Sequence, residues 1–212
     1  MNNRIIRLVL AGLLLSSSVT IRAGAFEDFF TAIIRDDPRS AEQLILRGFD
    51  VNSRDEQGQT AFVVALRAES FKVAELLLRQ ASFQVDAINA ANETALMLAA
   101  IKGQTEWVKR LLDKGAAINR DGWNALHYAA SGPEPSLVAL LLDRGAALNA
   151  RSPNGSTALM MAARYGSEAA VKVLRDRGAD VRLRNDRDLN AADFARLAGR
   201  VVLAAELERD IR

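Results

Sequence analysis

The chain has 212 residues, half of them hydrophobic and a quarter charged, the balance of a soluble globular protein. It contains no cysteine, which excludes disulfides, thiol nucleophiles, cysteine-based metal sites and a lipidated lipoprotein terminus. Aromatic residues make up 6%, and Ala and Leu dominate the apolar set, which favours helices over strands.

The first 25 residues differ from the rest. Arg4 and Arg7 precede the apolar run 8–15, and the segment closes on Ala23-Gly24-Ala25. These are the basic, apolar and small-residue regions of a secretory signal peptide, with cleavage expected after Ala25. The other reading is an uncleaved N-terminal inner-membrane anchor. Length argues against it: Leu8–Ile21 offers 14 residues, where roughly 20 span a bilayer. Arg4, Arg7 and Arg22 precede the first acid, Glu27, so removing residues 1–25 leaves 25 basic and 26 acidic side chains, a net charge of −1 against the +2 of the whole chain. The basic excess belongs to the leader, and no nucleic-acid partner is expected. The remaining domain, 26–212, is expected to be periplasmic or secreted, monomeric and without membrane contact.

After the leader the chain repeats itself. One phrase recurs as TAFVVAL (60–66), TALMLAA (94–100), NALHYAA (124–130), TALMMAA (157–163) and, more loosely, NAADFAR (190–196), at intervals of 34, 30, 33 and 33 residues. A second recurs as RGFDVN (47–52), DKGAAIN (113–119), DRGAALN (143–149) and DRGADVR (176–182). A period near 33 residues means an array of stacked supersecondary units.

Each period opens on Thr60, Thr94, Asn124, Thr157 or Asn190, residues suited to accept an orphan N–H at a helix start. A short helix follows, with alanine pairs where neighbouring helices must approach closely. Gly103, Gly166 and Gly199 stand where this helix ends, in positions that suit a left-handed residue. Pro135 is placed to open the next helix in the fourth period. The second helix carries an apolar stripe, as in Val73, Ala74, Leu77 and Leu78, or Leu137, Val138, Leu141 and Leu142. Trp107 lies on this stripe and is expected in the core, as are Met97, Met160 and Met161. Lys114, Arg144 and Arg177 complement the helix dipole before the terminating Gly115, Gly145 and Gly178. The asparagine- and aspartate-bearing links that follow read as hairpin-like fingers.

This pattern resembles the ankyrin-repeat family, whose phrase T-P-L-H-x-A-A leads through a glycine turn to L-L-x-x-G-A-x-x-N. Residues 121–149 and 154–180 match it nearly throughout. The resemblance implies an all-α repeat fold, an ankyrin solenoid of about six helix-turn-helix units: 26–54, 55–87, 88–120, 121–150, 151–183 and 184–212. It also implies binding to other proteins. Alanine replaces the family's proline at Ala61, Ala95, Ala125, Ala158 and Ala191. Glu69 replaces the turn glycine of the second unit, so that turn is expected to differ. The segment from Gly115 to Leu126 is three residues shorter than that from Gly145 to Leu159, which predicts a clipped finger.

His127, the only histidine, falls three residues after Asn124, where a ring nitrogen can return a hydrogen bond to the cap. No second histidine and no cysteine is present to complete a usual zinc site or catalytic triad. The expected catalytic, cofactor and metal residues are therefore none, and the protein is expected not to be an enzyme. The resemblance places the binding face on finger tips and the exposed side of the first helices. Transferred here, that face takes Glu56, Gln57, Gln59 and Arg67, then Glu93, Ile101 and Lys102, then Trp123 and Ser131, then Asn154, Ser156, Arg164 and Tyr165. Trp123 has two readings, a partner contact or packing over the clipped finger. The functional expectation is a non-enzymatic scaffold presenting this concave surface to a protein partner in the periplasm. Alternatives are a secreted protein engaging a foreign or host target, and an enzyme or ligand-binding protein with an unrecognised site.

Overall fold

The structure, a computed structural model, describes residues 24–211. The proposed signal peptide therefore lies almost wholly outside the described residues. Twelve helices alternate in six pairs among them, and no strand occurs. The first pair is α1 (24–34) and α2 (Pro38–Leu46), the second α3 (Ala61–Arg67) and α4 (Phe71–Arg79). Then come α5 (Ala95–Ile101) with α6 (Thr105–Asp113), and α7 (Ala125–Ser131) with α8 (Ser136–Asp143). The series closes with α9 (Ala158–Tyr165) and α10 (Glu168–Asp176), then α11 (Ala191–Leu197) and α12 (Val201–Ile211). The chain forms two compact bodies, one up to residue 84 and one from residue 85.

The expected caps start the first helices. Thr60, Thr94 and Thr157 accept from the backbone N–H three residues on, and Asn124 and Asn190 do the same. The second helices end at glycines with positive φ, Gly115 (94°), Gly145 (92°) and Gly178 (84°). At each, the following N–H reaches back to a helical carbonyl, as from Ala116 to Leu111 O at 2.9 Å, which satisfies an otherwise open acceptor.

In the N-terminal body, α4 has no side-chain cap of its own at Ser70. Asp36, held at φ 49°, supplies it from the preceding repeat: its Oδ1 accepts from Lys72 N (2.9 Å) and Val73 N (3.0 Å). Glu69 adopts φ 57°, close to the 70° of Gly103. The turn expected to differ therefore keeps the glycine geometry and imposes it on a residue with a Cβ. Phe29 is fully buried in α1 and stacks on Phe49, with ring centroids 4.4 Å apart.

In the C-terminal body, α5, α7, α9 and α11 pack side by side, each against the next. Their alanines, Ala99, Ala100, Ala129, Ala130, Ala162 and Ala163, are at most 1% exposed. Trp107, Val108 and Leu111, then Leu137, Val138 and Leu141, then Ala170, Val171 and Leu174 form the buried stripe of the second helices. Each fully buried leucine contributes roughly 1.5–3 kcal/mol. Gly166 corrects the sequence reading, since its φ is −86° and its backbone extended. Glycine is required there by close approach: a Cβ would run into the carbonyl oxygen of Ala130 and come within 2.9 Å of Ala162 Cα.

The fingers are turns closed by backbone hydrogen bonds across the tip. Asp55 N donates to Gln59 O, Asn89 N to Glu93 O, Ser152 N to Ser156 O and Asn185 N to Leu189 O, at 2.8–2.9 Å. The shortened link 116–124 carries no such pair among the described residues, as its missing residues require. Successive repeats are tied at the finger bases. Asn119 Oδ1 accepts from Ala147 N (2.8 Å), and its Nδ2 donates to Gly145 O (2.8 Å). Asp86 accepts from Ala117 N and Asn149 from Asp180 N in the same way.

Candidate protein-binding face

The stacked first helices of the C-terminal body leave one side uncovered. Four residues after each cap stand Leu98, Tyr128, Met161 and Phe194. The first three are half-buried, and Phe194 is almost covered. Seven residues after the caps stand Ile101, Ser131, Arg164 and Leu197, and one further on are Lys102 and Tyr165. Leu197 is 58% exposed, Tyr165 57% and Ile101 36%. Solvated isolated hydrophobics are ordinary, but here helix packing sets them in neighbouring rows.

Cations edge this apolar band. Lys102 is exposed, and the Arg164 guanidinium lies 5.1 Å from the Tyr165 ring centroid and 6.0 Å from that of Phe194. Cation–π attraction holds the guanidinium beside these rings, and its N–H groups can donate to a partner's acceptor. Glu93, expected as a contact, is engaged within the fold. Its Oε1 accepts from Tyr128 Oη (2.8 Å) and its Oε2 from Asn89 Nδ2 (2.8 Å). Burial, followed by that carboxylate bond, pushes the Tyr128 phenol well above its ordinary value, so it remains a neutral donor.

The other expected contacts are placed as follows. Arg67 is exposed at the end of α3, and Glu56 and Gln57 are exposed at a finger tip in the N-terminal body. Asp55 Oδ1 closes that tip, accepting from Gln57 N (3.0 Å) and from Gln59 N (2.7 Å), and Gln59 is half-buried. Asn154 is exposed, while its side chain braces the finger by accepting from Ser152 Oγ at 2.6 Å. Ser156 is a correction. At 1% exposure no partner can touch it, because its N–H is taken by Ser152 Oγ and its carbonyl by His127. Ser131 is half-buried and returns its hydroxyl to His127 O at 3.0 Å.

Trp123 is half-buried and meets the His127 ring edge-on, with centroids 5.3 Å apart. It packs on this ring and still presents part of its surface. His127 itself is 1% exposed. Its Nε2 lies 3.2 Å from Ala150 O and 3.1 Å from Ser156 O, which places the proton on Nε2. Nδ1 then accepts from Asn124 N at 3.4 Å. Burial lowers the imidazole pKa despite the two carbonyls, so the ring is neutral near pH 7. Among the described residues no group of histidines and carboxylates is arranged to hold a metal ion.

Sequence reasoning found Arg164, Tyr165, Ile101 and Lys102 but passed over Leu98, Tyr128, Met161 and Leu197. The expectation of a core position holds for Met97 and Met160, each 1% exposed, and fails for Met161, which is half-buried on the band. The register carries the signal, since Leu98, Tyr128 and Met161 sit four places after a cap and Leu197 seven.

The chain matches the family described as "Ankyrin repeats (3 copies)" over residues 29–121 and 116–185. It is 41% identical over 133 residues to the ankyrin repeat and SAM domain-containing protein 6 of Rattus norvegicus, a match covering 63% of this chain and 12% of that protein. The chain thus spans about an eighth of the length of that relative. Among solved structures it is similar to a chain from the Bd0816 predatory endopeptidase of Bdellovibrio bacteriovorus in complex with immunity protein Bd3460. That likeness has a TM-score of 0.72 at 25% identity, over 86% of this chain and 97% of the other. The ankyrin repeat domain of Bcl-3, of the IkappaB protein family, gives 0.70 at 29% identity, over 85% and 81%.

Proposed function

The chain belongs to the ankyrin-repeat family, and from that premise we propose that it is a non-enzymatic scaffold in the periplasm that captures a protein partner on its first-helix face. Ankyrin-repeat domains are protein-binding scaffolds, and one structural neighbour comes from a complex between an endopeptidase and an immunity protein. The observation that carries the reading is the band itself, with Tyr165 57% exposed, Arg164 stacked beside it, and Ile101 and Leu197 exposed in the neighbouring rows. Aromatic and arginine side chains dominate the energy of protein interfaces, and an arginine already held against a ring loses less freedom on binding. The histidine and the most strongly perturbed phenol are both engaged in packing, which supports a binding role over a reaction.

The test is affinity capture of the native partner from periplasmic extract, with Trp123→Ala and Tyr165→Ala combined. Capture is expected to fall roughly a hundredfold, on the order of 3 kcal/mol, while the helical circular dichroism signal is unchanged. Undiminished capture by the double variant would rule out this face. Fractionating periplasm from medium separates the periplasmic reading from secretion. Recovery from the medium alone would replace the first by the second.

A further inference from the structure

The N-terminal body contains a groove at the finger tip where Glu56 and Gln57 are expected as contacts, and the exposed band described above does not reach it. It has a volume of about 530 Å³ and runs between α1 and the finger at 55–57. Phe26, Phe30, Ile34 and Val64 supply its apolar lining. Phe26 and Phe30 stack with centroids 4.9 Å apart, and Ile34 is 61% exposed. α1 shows solvent two half-buried aromatic rings and an exposed isoleucine.

The charges around this lining are mostly negative. Glu27, Asp55 and Glu56 border the groove, against Arg35 alone. Asp55 is held in place, since its Oδ1 closes the finger turn through Gln57 N and Gln59 N, and Glu56 stands exposed beside it. A carboxylate fixed by its own turn beside an apolar surface favours a cation that arrives attached to an apolar group.

We propose that this groove docks a protein segment in which an apolar side chain is flanked by lysine or arginine. The proposal rests on the scaffold reading and adds to it a second subsite, selective for basic rather than acidic sequence. The volume admits more than one side chain, and the acidic border excludes segments rich in Asp or Glu by like-charge repulsion.

The experiment is fluorescence polarisation with the purified chain and two labelled nine-residue probes. One alternates leucine with lysine around a central phenylalanine, and the other carries glutamate in place of each lysine. The lysine probe is expected to bind saturably, at least tenfold more tightly than the glutamate probe at low salt, and to weaken as salt rises. Glu56→Lys and Ile34→Asp alter exposed positions that the fold tolerates, and each is expected to weaken the lysine probe by about tenfold or more. Tyr165→Ala is expected to leave it unchanged. Equal binding of the two probes, no binding of either, or indifference to both groove variants would overturn the proposal. Capture of a native partner that is lost in the Trp123/Tyr165 variant yet indifferent to Glu56→Lys and Ile34→Asp would keep the scaffold reading and discard this one. Intact probe binding without any captured partner would do the reverse.

Discussion

The His127 ring is held by its neighbours in one protonation state. Two carbonyls face Nε2 at 3.1 and 3.2 Å, and a neutral ring protonated on Nε2 serves both. Asn124 Oδ1 stands 2.9 Å from Nδ1, a contact between two acceptors that an imidazolium would relieve, but burial outweighs it. The folded pKa is thus lowered from 6.5. Below 6.5 the unfolded chain takes up a proton that the folded chain refuses, so stability is lost as pH falls through that window and is constant above it. Urea denaturation should show this decline from pH 6.5 to about 5, above the range in which carboxylates titrate, and His127→Gln should flatten it. An unchanged slope in the variant would assign the titration elsewhere. His127→Ala should cost on the order of 3 kcal/mol at pH 7, since it opens a cavity and removes the donor facing Ala150 O, while Ser156 O keeps its bond from Ser152 N. The position of this ring at the third helical residue follows from the sequence. Its bonds to Ala150 and Ser156 do not, because carbonyls 23 and 29 residues away carry no side-chain signature.

Turns between paired helices look alike in sequence and prove physically different. Gly103 and Gly199 have positive φ, whereas Gly166 is extended and needs its missing Cβ for contact with Ala130. Gly166→Ala is therefore expected to destabilise by about 3 kcal/mol through overpacking of α9 against α7. Glu69, forced to φ 57°, carries the opposite prediction. Relieving its left-handed strain with Glu69→Gly should raise stability by about 1 kcal/mol, part of the gain being offset by the freer unfolded chain. Thermal or urea unfolding of the two variants checks both signs, and a destabilised Glu69→Gly would mean the side chain contributes more than the strain costs. The repeat period, the caps and the core stripes are legible because each rests on local residue chemistry. Tertiary approach is not, which is why the reason for Gly166, the half-exposed Met161 and the buried Ser156 emerged only from packing. The binding face was half legible for the same cause: caps fix the register of its rows, but their exposure depends on how neighbouring helices cover one another.

Each repeat in an array leans on its neighbours, so damage at one junction should stay local. Within the C-terminal body the last junction has an identifiable clamp. Arg200, at the turn before α12, donates to the carbonyls of Ala162 (3.1 Å), Ala163 (3.1 Å) and Gly166 (2.9 Å), at the C-terminal end of α9 and its cap. A cation at a helix C-terminus also meets the negative end of the dipole, so this one side chain satisfies acceptors and charge together. Further along the same pair of repeats, Arg175 and Asp210 join α10 to α12 at 2.5 Å. That pair is about one-third exposed, which limits its worth. Removing the clamp with Arg200→Ala should cost about 2–3 kcal/mol, because three partly buried carbonyls lose a charged donor. In a globular domain with a single cooperative core that loss would lower the protection of every amide equally. In a linear array it should fall on α11 and α12, whose amides exchange first, while α5 to α8 keep their wild-type protection. Residue-resolved hydrogen exchange distinguishes these outcomes. A uniform fall across residues 85–211 would show that this body unfolds as one unit and that nearest-neighbour stacking does not describe its stability.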